Sequence, residues 1–180
     1  MEQVQSHPPR YTIEEYLALE DKSEVRHEYY QGEIFAIAGA SLARNRIVGN
    51  SYRALGDRVD SAICETFLDG ALVQVDEACV LYPDLVVSCH PDDLAADWIL
   101  HHPSVIFEVL SPSSADYDRT SKLRLYQRLV SLRHYVLVRQ DYCWVECLTR
   151  QVGEVSPENE WTLQVYDTLT DELHLSALGV

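Results

Sequence analysis

Apolar and polar positions along the chain change period several times, and each change marks an element. "YTIEEYLALED" carries the helical period and opens on Thr12 with Glu15 three residues later, a capping box. "RHEYYQGEIFAIAG" alternates like two strands joined at Gln31-Gly32, a tight hairpin turn. Residues 43–59 return to the helical period and set Ile47, Val48, Tyr52, Leu55 and Val59 on one stripe. Short strands follow at 71–76, 78–81 and 84–88, the last two parted by Tyr82-Pro83. "SVIFEVL" is then apolar on both faces, as in an interior strand covered from both sides. "DRTSKLRLYQRLV" is helical, with Leu125 and Leu129 on one stripe and Arg124 and Arg128 on another. "HYVLV", "CWVECLTR" and "WTLQVYD" read as closing strands, separated by turns that include "SPENE". The order predicts an α/β layer domain with a mixed sheet over residues 11–180, preceded by a flexible tail at 1–10.

Composition narrows the class. At 180 residues, 47% apolar and 24% charged, the chain fits one soluble domain with a real core. No apolar run is long enough to cross a bilayer, and "MEQVQSHPPR" lacks a signal peptide's apolar centre, so a cytoplasmic location without membrane contact is expected. Five scattered cysteines without a C-x-x-C pair favour reduced thiols packed as small apolar groups over disulfides or a zinc site. The adjacent pairs Cys89-His90 and His101-His102 also lack zinc-site spacing and are expected in loops. A net charge of −15 excludes a nonspecific nucleic-acid coat. Between Arg119 and Arg139, however, there are six basic residues and no acid, so a local basic face can still meet an anion.

Within "SVIFEVL", Glu108 shares a face with Ile106 and Leu110. A buried carboxylate requires a cation, a hydrogen-bond partner or a proton. Asp84 enters a second apolar strand just after Pro83. Two such carboxylates on neighbouring strands can converge on Mg²⁺ or Mn²⁺, hard cations that prefer oxygen. The plainer alternatives are a turn cap for Asp84 and a structural arginine partner for Glu108. Lys122 stands out because the chain has two lysines against twelve arginines. A lysine is a compact point charge able to approach a phosphate or a metal-bound water; the plain alternative is a solvated helix lysine. The other lysine, Lys22, sits in a surface turn. No nucleophile elbow, P-loop or dinucleotide fingerprint is present.

"YPDLVV", "VIFEVLSPSS" and "DRTSKLRLY", together with "YTIEEYLALED", "RHEYYQGEI" and "SLRHYVLV", resemble the Uma-two family of restriction-endonuclease-like proteins in the PD-(D/E)XK nuclease superfamily. The resemblance runs in order from about Tyr11 to Val180. It implies a central mixed sheet flanked by helices and Mg²⁺-dependent hydrolysis of phosphodiesters in nucleic acid, most naturally DNA. By the same resemblance Asp84, Glu108 and Glu28 are the metal-binding carboxylates, and Asp84, Glu108 and Lys122 the catalytic set. Arg44, Arg119, Arg124 and Arg128 are candidate nucleic-acid contacts. The superfamily's lysine two residues after the acid is replaced by Leu110, which leaves Lys122 from the following helix as its substitute. Arg44 stands where relatives commonly have histidine, and Gln31-Gly32 where they often have Asp-Gly. A catalytically silent nuclease fold that binds nucleic acid or a protein partner is the alternative. A homodimer is considered because nucleases that cut both strands often pair, with Tyr142, Trp144 and Trp161 as interface or core aromatics.

Overall fold

A computed structural model describes residues 9–37, 39, 41–68, 70–151 and 160–180. The tail at 1–10 falls almost entirely outside them, as does nearly all of the "SPENE" turn. The first elements described are helix α1 (Ile13–Glu20), capped as anticipated by Thr12 and Glu15, and hairpin β1 (His27–Tyr30)–β2 (Glu33–Ala36). The hairpin turn needs two left-handed residues, Gln31 at φ 50° and Gly32 at φ 88°. Helix α2 (Leu42–Gly56) is followed by β3 (Glu65–Leu68), β4 (Leu72–Asp76), β5 (Cys79–Leu81) and β6 (Leu85–Ser88). A short helix α3 (Pro91–Leu94) leads to β7 (Ile99–Leu100) and the long β8 (Pro103–Leu110). The predicted helix after β8 is segmented: α4 (Ala115–Tyr117), a π-helical turn (Asp118–Lys122) and α5 (Leu123–Tyr126). Strands β9 (His134–Arg139), β10 (Val145–Arg150) and β11 (Trp161–Tyr166) complete the regular structure of the described residues.

The expected mixed α/β architecture is present, with its strands divided between two sheets. One has the order β2-β1-β5-β4-β7 and the other β11-β10-β9-β8-β6-β3. Parallel pairing occurs at β8–β9 and β4–β7. A parallel pair requires a crossover, and α4–π–α5 supplies it between β8 and β9. The crossover covers the face of β8 that holds Ile106 and Leu110, packing Leu125, Tyr126 and Leu129 against them and against Val73 and Leu81 of the smaller sheet. Helix α2 covers the opposite face through Val48 and Leu55, next to Val105, Phe107 and Val109. Tyr52, predicted on the same stripe, is 42% exposed. The two-sided burial inferred for β8 thus comes from these two helical layers.

One expectation is corrected. Cys64 and Cys89 form a disulfide rather than staying as separate thiols. The β3–β6 register pairs Glu65 with Ser88, so the residues one step beyond face each other across the ladder. That register is invisible in a sequence separation of 25. Cys79 and Cys147 are buried thiols, as anticipated, and Cys143 is exposed.

His134 closes the far side of the large sheet. Its Nδ1 lies 3.0 Å from Thr149 Oγ1, and its Nε2 accepts from the backbone N of Ala177 at 3.2 Å. Burial, aided by Arg133, holds the imidazole down at about 4, below its usual 6.5. Between those values the unfolded chain binds the proton that the folded ring refuses, so stability falls as pH drops from about 6.5 to 4. The loss reaches about 3 kcal/mol. Chemical denaturation across this range should show a flatter profile for His134→Asn than for the wild type.

Candidate functional site

The site forms where the two sheets meet. Glu28 comes from β1, Asp84 from the residue that enters β6, Glu108 from β8, and Lys122 from the end of the π-turn. All four are buried, with exposures of 9, 4, 2 and 5%. Alternation on β8 points Glu108 into the face covered by the crossover, and the crossover brings Lys122 down onto it. Lys122 Nζ lies 2.8 Å from Glu108 Oε1 and 2.9 Å from Glu28 Oε1, and donates to the Tyr82 carbonyl at 3.3 Å. One ammonium therefore joins a carboxylate of each sheet. Lys122 does return to the acid in place of the residue at Leu110, whose side chain packs in the core.

Asp84 is held separately. Its Oδ2 accepts from the Val109 backbone N at 2.7 Å, and its Oδ1 accepts from Arg44 Nε at 2.5 Å. Arg44 reaches it from the first turn of α2, which is capped by Ser41. The other three arginines are dispersed. Arg119 forms a fork on Glu146, Arg128 pairs with Asp76, and Arg124 lines a neighbouring cavity.

Three further residues belong to the cluster and were not singled out in the sequence. Tyr126 Oη donates to Glu108 Oε1 at 3.2 Å, Tyr117 Oη reaches Glu28 Oε2 at 3.5 Å, and Asp118 is 4% exposed beside them. Asp118, Lys122 and Tyr126 are spaced by four, so one helical stripe presents all three to the sheet. That spacing was readable; what hid it was the apolar stripe of Leu125 and Leu129 beside it.

Four acids, Glu28, Asp84, Glu108 and Asp118, share two cations, Lys122 and Arg44, which leaves the cluster short of positive charge. Burial pushes the Glu108 carboxyl up to about 8, although Lys122 pulls the other way. Burial also raises Asp84 against the pull of Arg44, and Asp118 against that of Lys122. Burial opposes the Lys122 ammonium, but Glu108, Glu28 and Asp118 outweigh it and keep the group charged. A cavity of about 360 Å³ opens over Glu28, Glu108, Asp118, Lys122 and Arg44. A second, of about 500 Å³, adjoins it and is lined by Tyr30, Phe35, Tyr117, Arg124 and Arg128.

A family model described as "Putative restriction endonuclease" matches residues 13–179. The chain belongs to the Uma-two family. Two uncharacterized proteins of Synechocystis sp. are similar to it: one is 29% identical, with the match covering 96% of this chain and 88% of the relative. The other is 31% identical, covering 84% and 85% respectively. A crystal structure described as a "putative nuclease belonging to DUF820" from Anabaena variabilis shares the fold, with a TM-score of 0.73 at 19% identity over 93% of this chain and 91% of that one. This Uma-two protein thus carries its family's fold along nearly its whole length.

The Lys122 ion pairs should dominate local stability. Removing the ammonium leaves Glu28 and Glu108 buried without a counter-charge, so Lys122→Met should cost about 3–5 kcal/mol in urea unfolding. Combining it with Glu108→Gln should cost less than the sum of the single changes.

Proposed function

We propose that this Uma-two protein is a metal-dependent endonuclease acting on nucleic acid, with DNA as the expected substrate. The observation that carries the reading is the convergence of Glu28 and Glu108 on one cationic centre, with Asp84 fixed at the mouth of the adjacent strand. The donor set is all oxygen, which fits Mg²⁺ or Mn²⁺ and not a thiolate-seeking ion. Glu28, Asp84 and Glu108 are the residues that would hold the cation. Bound there, such an ion supplies charge for a phosphoryl oxygen and a more acidic water.

The chain's own groups divide the remaining work. Burial pushes the Glu108 carboxyl toward its protonated form, and it would hold the cation as the ionised carboxylate, since a ligand carboxylate must be deprotonated. Lys122 Nζ, already beside Glu108, turns its point charge toward the phosphate or the attacking water. Arg44 sits in the same cavity and can trade Asp84 for a phosphate oxygen, for which its planar fork is suited. The exposed rings of Phe35 and Tyr117 separate the carboxylate cavity from the arginine-lined one and offer faces on which bases can stack. Arg124 in the second cavity would follow the backbone.

A second reading rests on a specific observation. Lys122 and Arg44 already pair with Glu28, Glu108 and Asp84, which is also how a catalytically silent nuclease fold would stabilise its former site. Cleavage of supercoiled plasmid with Mg²⁺ or Mn²⁺ separates the two, with single-stranded RNA run alongside. The endonuclease reading expects Asp84→Asn and Glu108→Gln to slow cleavage at least a hundredfold while circular dichroism stays native. Equal cleavage by wild type and both variants would refute it. A silent fold would show no cleavage and no Mn²⁺ affinity dependent on Asp84.

A further inference from the structure

We propose that His90, Asp92 and His102 form a binding site for a borderline transition-metal dication of the zinc or nickel class, at the other end of the large sheet. Strands β6 and β8 are antiparallel, with Ser88 opposite Pro103, so the chain leaving β6 meets the chain entering β8. His90 lies just past β6, His102 just before β8, and α3 turns Asp92 back toward both. Each of the three offers a ligand atom, and these atoms lie within 4.8 Å of one another. The imidazoles of His90 and His102 are stacked with centroids 3.9 Å apart, and His90 Nδ1 is 3.8 Å from Asp92 Oδ2. Asp84 is separated from this end by the length of β6, about 13 Å at the usual rise per residue.

The scaffold beneath is built independently of the two rings. Asp93, 1% exposed, accepts from the backbone N of His101 at 2.9 Å and of His102 at 2.9 Å, and from Ser88 Oγ at 2.7 Å. This buried carboxylate fastens α3 to the residues before β8 and so fixes where His102 starts. Nδ1 of His102 is buried 3.4 Å from Asp93 Oδ1, without a hydrogen bond. That leaves Nε2 as the nitrogen open to a ligand, with a carboxylate behind the ring, the arrangement that orients metal-binding histidines. Both rings are about two-fifths exposed, at 44 and 40%, so they can turn out of the stack toward a shared ion. His90 would exchange a long 3.3 Å hydrogen bond from the Asp92 N–H for the metal.

Two imidazole nitrogens and one carboxylate oxygen suit Zn²⁺, Ni²⁺ or Co²⁺ with an open position, and suit Mg²⁺ poorly. The site therefore differs from the all-oxygen carboxylate cluster in both place and preference, and it does not depend on the nuclease reading. Its sequence spacing gave no sign of it, because Asp92 and His102 are ten residues apart and meet only through the β6–β8 pairing.

The test is calorimetric titration of the full chain with zinc chloride, in a background of Asp84→Asn and Glu108→Gln that removes two of the three carboxylates proposed to hold the other cation. Reductant is left out so that Cys64 and Cys89 stay paired and supply no thiolates. One equivalent of zinc should bind, unaffected by millimolar Mg²⁺. His102→Ala and Asp92→Asn should each weaken it at least tenfold. Asp92 is exposed, so its variant keeps the fold, and a metal-free melting curve matching the parent confirms this for both. Absence of zinc binding, or binding untouched by both substitutions, overturns the proposal.

Discussion

The ammonium of Lys122 is the point on which the two sheets depend. Glu28 belongs to the smaller sheet and Glu108 to the larger, and each places an oxygen within 2.9 Å of the same nitrogen. Buried carboxylates on both sides of a sheet junction would repel each other without it. The crossover that carries Lys122 is required anyway, because β8 and β9 are parallel and cannot be joined by a hairpin. One topological necessity thus provides the apolar cover of β8, through Leu125 and Leu129, and the counter-charge, through the next stripe of the same helical segment.

The π-helical turn at Asp118–Lys122 fits this double duty. A wider turn shifts the register of the residues that follow by about 100°, and such turns gather at functional sites. Here Asp118, Lys122 and Tyr126 face the acids while Leu125 and Leu129 still reach the core. The cluster is unbalanced in its charge, with four acids against Lys122 and Arg44. Burial, with Asp84 and Asp118 nearby, raises Glu108 against the pull of Lys122.

The opposite end of β6 and β8 follows a similar logic with different chemistry. A single buried carboxylate, Asp93, collects the backbone N–H groups of His101 and His102 and so fixes where His102 starts. In both places an acid inside the fold sets the geometry of the groups around it. The groups differ: carboxylates around an ammonium between the sheets, imidazoles beside carboxylates at the strand ends.

Local pattern by itself determined much of this protein. The capping box at Thr12, the hairpin turn at Gln31-Gly32, the two-faced burial of β8 and the exceptional status of Glu108, Asp84 and Lys122 all follow from period, turn chemistry and the cost of burying charge. Three things were decided only in three dimensions. The division of strands into two sheets depends on long-range pairing that no local period encodes. The Cys64–Cys89 bond depends on the register of β3 against β6, which sets two distant residues face to face. The partners of the charged groups, Arg44 on Asp84, Arg119 on Glu146 and His90 beside His102, depend on which elements become neighbours. Sequence periodicity says which side a residue faces; only the packed sheets say what lies there.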